Sequence, residues 1–194
     1  MIADPFPHLV IEDFLPRKAL EWSLEYWPTT GWTPKFGPKC DGKYAKNTDL
    51  GVHMTAVLDM LADPFHMTLL RAKTGIDGLI ADPSLEGGGL HQTEPGGYLG
   101  IHTDFNKLGT LDRRLNLLVF LNNWMPGDGG ELELWNEQEC VRVIEPAMNR
   151  AVLFETSERS WHGHPNPTRT LRRSIAMYYY TQGDDSPAHG TIYR

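Results

Sequence analysis

The heptapeptide Tyr98-Leu-Gly-Ile-His-Thr-Asp, residues 98–104, ends an apolar run with two side chains that can bind a metal ion. On a β-strand, residues two apart project from the same face, so His102 and Asp104 would point into one interior. Two ligands do not fix a reactive metal ion, and His162 is the candidate for the third. Two histidines and one carboxylate on one face of an octahedron leave three coordination positions open. The triplet alone is a weak signal, because a histidine near a strand end is more often structural.

The bulk composition indicates one folded domain of 194 residues with an ordinary apolar content. A formal net charge of −7 argues against a nucleic-acid-binding surface. The sequence has no run of 18 apolar residues, so we expect no membrane partner, and the first residues lack the features of a signal peptide. Two cysteines, Cys40 and Cys140, do not make a disulfide framework. We therefore expect a protein of the reducing cytoplasm, and the oligomeric state stays open.

The first 87 residues are predicted to form a helical support. Apolar spacing and capping residues predict a short strand over 9–15 and helices over 16–27, 56–62 and 64–73. Thr55 and Asp63 are the predicted caps of the last two helices. These helices should lie on the outside of a sheet.

The segment 31–49 has several prolines, glycines and lysines and shows no sustained periodicity. Two interpretations are open for it. It is either a solvated surface loop or a mobile lid that closes over a substrate, since long loops are often functional. In the second interpretation, Lys35 and Tyr44 are candidate substrate contacts.

From residue 88 the pattern changes to short strands separated by turns rich in glycine and proline. The predicted strands are 88–93, 98–102, 115–121, 131–135, 140–144, 150–154 and 172–181. Helices followed by seven such strands indicate a mostly β, α+β fold, with a helix-supported β-barrel or jelly roll. Residues 88–181 would form this core, and 182–194 would be a tail.

The last predicted strand has two different faces. One face carries Ile175 and Met177 and suits packing under helices, whereas the other carries Arg172 and Ser174 and is too small and polar to fill a barrel. A buried guanidinium needs a partner, and a bound dicarboxylate could supply one. Alternatively, Arg172 is a solvent-facing residue at a sheet edge.

The strand predicted at 115–121 places one amide, that of Asn116, on an otherwise apolar face with Leu118 and Phe120. An asparagine at a strand start is often only a cap or a turn partner. Both a ligand-binding role and a structural role for Asn116 are therefore open.

The order and spacing of these residues resemble the 2-oxoglutarate/Fe(II)-dependent dioxygenases, in particular the prolyl 4-hydroxylase-like branch. His102-x-Asp104 is followed some 60 residues later by His162 and ten residues after that by Arg172. The stretches 129–135 and 161–165 also resemble strand and turn sequences of that family. The likeness spans about residues 88–181 and implies a double-stranded β-helix, the cupin-like form of the jelly roll.

The resemblance implies that His102, Asp104 and His162 bind Fe(II). Arg172 would bind the distal carboxylate of 2-oxoglutarate, with Ser174 beside it. O2 would be the second cosubstrate. Asp104 also argues against a halogenase, in which a small residue replaces the carboxylate.

Two positions depart from the family pattern. Thr93 stands where many relatives have a tyrosine, and Phe120 stands where oxygen-sensing prolyl hydroxylases have one. Thr93, Tyr98 and Asn116 are therefore the candidates for the remaining hydrogen bonds to the cosubstrate. We do not expect His91 or His164 to be metal ligands, and we place His164 in a turn.

The implied reaction is hydroxylation of a C–H bond, with peptidyl proline as the first candidate substrate and a small amino-acid-like molecule as the second. Arg113 could add a positive rim to the substrate site, and Trp135 is a further candidate contact. Two other functions are compatible with the same scaffold. They are a cupin-like metalloenzyme that does not use 2-oxoglutarate and a non-catalytic binding domain.

Overall fold

The computed structural model describes residues 1–35 and 37–194. Three helices, α1 to α3, precede most of the strands. They span Arg17–Glu25, Gly51–Ala62 and Pro64–Thr74. The thirteen strands β1 to β13 are His8–Ile11, Thr33–Pro34, Cys40–Lys46, Ile80–Ala81, Gly89–Thr103, Lys107–Leu108, Leu111–Phe120, Leu132–Trp135, Cys140–Ile144, Ala151–Glu155, Trp161–His164, Arg172–Gln182 and Ile192–Tyr193.

The strands form one antiparallel sheet whose main path runs β1-β10-β7-β12-β5-β11-β8-β9. The 15-residue strand β5 belongs to both walls of this curled sheet, the wall that contains β12 and the wall that contains β11. Its first half pairs with β12, its second half pairs with β11 and β13, and β3 pairs with residues of both halves. The expected mostly β fold with supporting helices, a double-stranded β-helix, is confirmed.

A large bulge lets β5 change from one wall to the other. Asp41 pairs with Tyr98 and Lys43 pairs with Thr93, so the four residues 94–97 of β5 lie opposite the single residue Gly42 of β3. Gly97 is required there, because a Cβ atom would lie 2.7 Å from the Thr93 Cγ2 atom and 2.8 Å from the Asp41 carbonyl oxygen. The turn predicted at 94–97 is therefore a bulge within one strand, not a connection between two.

The helices pack on the outer face of the sheet, as predicted. Met54 and Leu61 share a core cluster with Ile175, Met177 and Tyr179 of β12. The Tyr179 hydroxyl also donates a hydrogen bond of 3.0 Å to the Leu61 carbonyl. No helix in the described part of the chain is long and apolar enough to cross a membrane.

Helix α3 begins and ends as predicted, whereas α2 ends at the predicted residue but begins five residues earlier. The Asp63 side chain caps α3 by accepting from the Phe65 amide at 2.8 Å, and Gly75 ends the helix in a left-handed conformation. Helix α2 begins at Gly51, so Thr55 lies inside the helix and does not cap it. The start has no side-chain cap, and the burial of Met54, not a capping signal, accounts for the first turn.

The segment 31–49 is not a structureless loop, apart from residue 36, which lies outside the described residues. Strand β3 pairs with β5 at residues 90–93 and 98–99, and β2 pairs with β3. The strand escaped prediction because lysines, a glycine and an aspartate hide its alternation. The tail also contains a strand, β13, which pairs with β5 at Thr103 and His102.

Candidate active site

The three predicted metal ligands lie together on the inner face of the curled sheet. Strands β5 and β11 are antiparallel neighbours, and His102 lies directly opposite His162 in their register. Asp104 follows the end of β5. One ligand atom from each residue lies within 4.8 Å of the other two, and both imidazoles are buried. This set is the one group of potential metal ligands found within the described ranges of the chain.

Backbone carbonyls fix the orientation of both imidazoles. The Nδ1 atom of His102 lies 2.9 Å from the Gly100 carbonyl, and that of His162 lies 2.8 Å from the Ser160 carbonyl. A carbonyl can only accept, so both Nδ1 atoms carry hydrogen, and Nε2 is the nitrogen that each ring can offer to a metal ion. Each Nε2 atom faces Asp104, at 3.7 Å and 3.8 Å from its carboxylate oxygens. Burial, followed by the neighbouring His162, lowers the pKa of His102 to about 4, so that imidazole is neutral.

Two groups to which sequence analysis gave other roles contact the Asp104 carboxylate. The Asn116 amide donates to its Oδ2 atom at 3.0 Å, and an Nη1 atom of Arg113 lies 3.1 Å from the same oxygen. Burial alone would raise the pKa of Asp104, but Arg113 and both histidines together hold it well below its ordinary value. The carboxylate is therefore charged and oriented for a cation.

Arg113 does not form a positive rim at the substrate entrance. Its side chain is fully buried, with the guanidinium carbon 3.6 Å from the ring centre of Phe105 and 3.8 Å from that of Tyr178. The sequence-based expectation assumed a solvated arginine before an inward-facing strand. In fact β7 begins at Leu111, so Arg113 is already inside the sheet and pairs with Asp104.

A cavity of about 340 Å³ opens in front of the three ligands. Arg172 lines this cavity, is only 5% exposed, and has no carboxylate within 4.0 Å in the described residues. Its Nε atom donates to the Gly130 carbonyl at 2.7 Å, and its guanidinium lies 5.0 Å from the Phe120 ring centre. Arg172 is therefore a buried, oriented cation at the wall of the cavity, and not a solvent-facing edge residue.

The predicted cosubstrate contacts differ in where they lie. Ser174 and Asn116 line the cavity. Thr93 is buried and lies between Arg172 and Lys43 in the register, with its hydroxyl lacking a hydrogen-bond partner. Tyr98 does not line the cavity, because it follows the bulge on β5 and pairs with Asp41.

The predicted substrate contacts are also divided. Lys35 lines the cavity, but Tyr44 and Trp135 do not. Tyr44 lies opposite Gln92 at the outer edge of the sheet. The Trp135 indole donates to the Glu133 carboxylate at 2.7 Å and packs near the Arg194 guanidinium.

Sequence analysis missed several cavity residues. His164 lies in β11 rather than in a turn, is 2% exposed, and has no hydrogen-bond partner at either ring nitrogen. Lys43, His91 and Tyr193 also line the cavity. The spacing of His162 and His164 on one strand face could have indicated the position of His164. Tyr193 and Lys43 gave no such signal, because their strands were not predicted.

The residues fit a metal site of one particular chemistry. Two imidazoles and one carboxylate on a single side, facing an open cavity, form the facial triad found with Fe(II) in non-heme oxygenases. The unpaired guanidinium of Arg172 in the same cavity fits a carboxylate of a bound cosubstrate. The cavity therefore contains groups that can bind a metal ion and a group that can bind a carboxylate.

Comparison with known proteins agrees with this assignment. Residues 88–180 match the model of the 2OG-Fe(II) oxygenase superfamily. No curated protein sequence matches the chain significantly. Among solved structures, a prolyl hydroxylase from Trichoplax adhaerens, in complex with a hypoxia inducible factor peptide fragment, is 18% identical with a TM-score of 0.64. The alignment covers 89% of this chain and 83% of that one.

Two further solved structures are similar over nearly their whole length. A Pseudomonas putida prolyl-4-hydroxylase is 17% identical with a TM-score of 0.64, covering 90% of this chain and 92% of that one. The viral collagen prolyl hydroxylase of Paramecium Bursaria Chlorella virus-1, in complex with 2-oxoglutarate, is 15% identical with a TM-score of 0.66, covering 93% and 99%. At these identities the likenesses establish the fold, and the family model extends over the strands that contain the three candidate ligands and Arg172. Residues 88–180 therefore belong to the 2OG-Fe(II) oxygenase superfamily, and the chain is a dioxygenase that uses Fe(II), 2-oxoglutarate and O2.

Proposed function

We propose that this dioxygenase hydroxylates a C–H bond of a proline-like substrate, either a peptidyl proline or a small amino-acid-like molecule, and releases succinate and CO2. The observation that carries the proposal is that His102, Asp104 and His162 face the same cavity as the unpaired guanidinium of Arg172. The similar solved structures that are prolyl hydroxylases support the choice of proline. We further propose a cytoplasmic location, which the two free cysteines support.

In this proposal the metal is held by three side chains whose orientation is fixed before binding. His102 and His162 offer their Nε2 atoms because their Nδ1 hydrogens are donated to backbone carbonyls. Asp104 offers a charged carboxylate because Arg113 and Asn116 stabilise it from behind. Such outer contacts typically set both ligand geometry and metal affinity.

The cosubstrate contacts follow from the cavity wall. Arg172 binds the distal carboxylate of 2-oxoglutarate through its free guanidinium nitrogens, and Ser174 lies two residues along the same face. Thr93, buried beside Arg172 in the register, is the candidate for a further hydroxyl contact. Burial lowers the pKa of Arg172 to about 10, which leaves it protonated at neutral pH.

Bound Fe(II) and 2-oxoglutarate supply the oxidising chemistry that couples decarboxylation of the cosubstrate to hydroxylation of a C–H bond. The chain itself binds, orients and shields these groups. Leu99, Leu118 and Leu132 line the cavity and limit the access of water to the reacting atoms.

The test is release of succinate from 2-oxoglutarate with Fe(II) and O2, together with a mass gain of one oxygen on the substrate. Proline-containing peptides and free amino acids are compared in parallel. A cupin-like metalloenzyme that does not use 2-oxoglutarate would release no succinate with any of them. A non-catalytic binding domain would bind metal and 2-oxoglutarate without turnover, and oxidation of neither substrate class would exclude the proline assignment.

A further inference from the structure

A second cation, the half-buried Lys43, lines the same cavity and has no role in the functions assigned above. Strand β3 places Lys43 opposite Thr93, and β12 places Arg172 opposite the same threonine. Lys43, Thr93 and Arg172 therefore form one row across three adjacent strands. Cross-strand neighbours in such a row project from the same face of the sheet. Lys43 and Arg172 both line the cavity.

His91 holds the amino group of Lys43 in position. The His91 Nε2 atom lies 3.0 Å from the Gly87 carbonyl, which can only accept, so Nε2 carries the hydrogen. The Nδ1 lone pair then accepts from Lys43 Nζ at 3.4 Å. Burial, followed by the nearby Lys43, keeps the pKa of His91 well below its ordinary value, so the ring stays neutral. This bond uses one of the three hydrogens of the ammonium group and leaves the others for a ligand.

Lys43 lacks a negative partner in the protein. Throughout the described part of the chain, no carboxylate oxygen lies within 4.0 Å of its Nζ atom. Asp104 is the buried carboxylate of the cavity and is already paired with Arg113. Glu86 also lines the cavity and forms no ion pair with Lys43.

Charge balance indicates what is missing. In the proposed function, the distal carboxylate of 2-oxoglutarate pairs with Arg172, its other carboxylate and Asp104 bind Fe(II), and Arg113 pairs with Asp104. Lys43 then remains as a positive charge without a carboxylate partner at the wall of the same cavity. Unpaired charge in such a place is costly, and a second anionic group from the substrate would reduce that cost.

We infer that Lys43, positioned by His91, binds a carboxylate of the substrate. This inference rests on the proposed function and narrows its substrate class. The oxidised molecule carries a free carboxylate close to the reacting carbon, as a free amino acid or the C-terminal residue of a peptide does. A residue inside a peptide chain has an amide at that place and cannot pair with an ammonium group in the same way.

The test is equilibrium binding to protein loaded with Mn(II) and 2-oxoglutarate in the absence of O2, measured by calorimetry. The probes are matched pairs that differ only in the acid group. They are common L-amino acids, including L-proline, with their amides, and acetyl-Gly-Pro with its C-terminal amide. The variants are Lys43→Met and Lys43→Arg. Lys46→Met is the control, because Lys46 lies on the same strand, donates to the Gly31 carbonyl and does not line the cavity.

At least one acid should bind to the wild-type protein about ten- to a hundred-fold more tightly than its amide, the range for a charge-assisted contact. Lys43→Met should remove this preference, Lys43→Arg should keep part of it, and Lys46→Met should keep all of it. Preference for L-proline indicates a free amino acid, and preference for acetyl-Gly-Pro indicates a peptide C-terminus.

Three results would overturn the inference. The first is equal binding of every acid and its amide, which includes the case in which neither binds. The second is an unchanged preference in Lys43→Met. The third is loss of 2-oxoglutarate binding in that variant. The last result would assign Lys43 to the cosubstrate. The same titration separates this failure from failure of the proposed function, in which wild-type protein with Mn(II) would not bind 2-oxoglutarate at all. The acid–amide comparison on wild-type protein decides the question even if Lys43→Met does not fold.

Discussion

Two buried arginines serve the site, but only one of them has a charged partner among the described residues. Arg113 lies beside the cavity, where it is paired with Asp104 and stacked between two aromatic rings. Arg172 lines the cavity, donates one hydrogen bond to a carbonyl and has no carboxylate partner in the described part of the chain. The difference shows how the site is divided. The cation that orients a metal ligand has its charge balanced in advance, whereas the cation proposed to bind a mobile ligand has no charged partner until the ligand arrives.

The largest expected effect comes from removing the Arg113–Asp104 ion pair with Asp104→Ala. The change removes a metal ligand and leaves Arg113 as an uncompensated buried charge, which should cost about 3–5 kcal/mol of unfolding free energy. Turnover of 2-oxoglutarate should fall by more than the roughly 100-fold typical of losing an outer-shell partner. Urea unfolding and succinate release measure the two effects.

A double variant, Asp104→Ala with Arg113→Met, separates the two consequences of that change. Removing the orphaned charge should restore much of the unfolding free energy without restoring turnover. If the double variant is no more stable than Asp104→Ala, then Arg113 is not paired as described.

The second effect concerns Arg172, the arginine without a charged partner in the described residues. Arg172→Met should weaken 2-oxoglutarate binding by about 2–3 kcal/mol, the range for charge-assisted contacts, and leave Mn(II) binding intact. Because Arg172 has no charged partner, the ligand-free variant should be at least as stable as the wild-type protein, unlike Asp104→Ala. Calorimetry with 2-oxoglutarate and thermal unfolding without ligands test both statements.

Arg173→Met is the matched control for that experiment. Arg173 is the next residue on the same strand, but it points to the helical side and packs near the Trp27 ring. It should change neither cosubstrate nor metal binding. Exchange of behaviour between the two variants would mean that the face of β12 is assigned wrongly.

A smaller effect, on metal affinity, is expected from removing the uncharged side chain of Asn116, which contacts the Asp104 carboxylate. Asn116→Ala removes the hydrogen bond to Asp104 Oδ2 but leaves the Arg113 ion pair in place. Mn(II) affinity should fall by about tenfold, the lower end of the range for such outer contacts. Unchanged affinity would show that Arg113 alone fixes the carboxylate.

The smallest expected effect is a pH dependence of stability caused by Lys43, because solvent screens the charge of a side chain that is only half-buried. Burial, followed by the nearby Arg172, lowers the pKa of Lys43 to about 7, and other groups that act on it are Cys40, Lys35 and Asp104. Unfolded lysine has a pKa near 10.4, so between about pH 7 and pH 10 the unfolded state binds more protons. The wild-type protein should therefore gain stability relative to Lys43→Met as the pH rises through this window. A constant difference between the two unfolding free energies would contradict the lowered pKa.

Sequence patterns predicted the elements whose signal is local. The alternation along 172–181 identified both faces of β12, and the Asp63-Pro64 pair identified the start of α3. The three metal ligands and Arg172 were found from residue type and spacing, and the structure brings all four to one cavity.

The remaining parts depend on contacts between distant segments. Strand β3 exists because it pairs with β5, and its own residues do not alternate in polarity. Lys43 could not be recognised as a cavity residue without that pairing. Arg113 was misplaced for a related reason, because its partner Asp104 lies across the sheet and only tertiary packing shows which arginine is buried.

The position of β12 has a consequence for the folding pathway. In the sheet β12 lies between β5 and β7, although it follows both of them by many residues in the chain. Pairings between segments so far apart in sequence form slowly, because loop closure must precede the contacts that reward it. During synthesis β5 and β7 are therefore complete long before the strand that joins them emerges from the ribosome. We expect closure by β12 to be a late and rate-limiting event, so that the metal ion binds to a nearly finished protein and does not nucleate its folding.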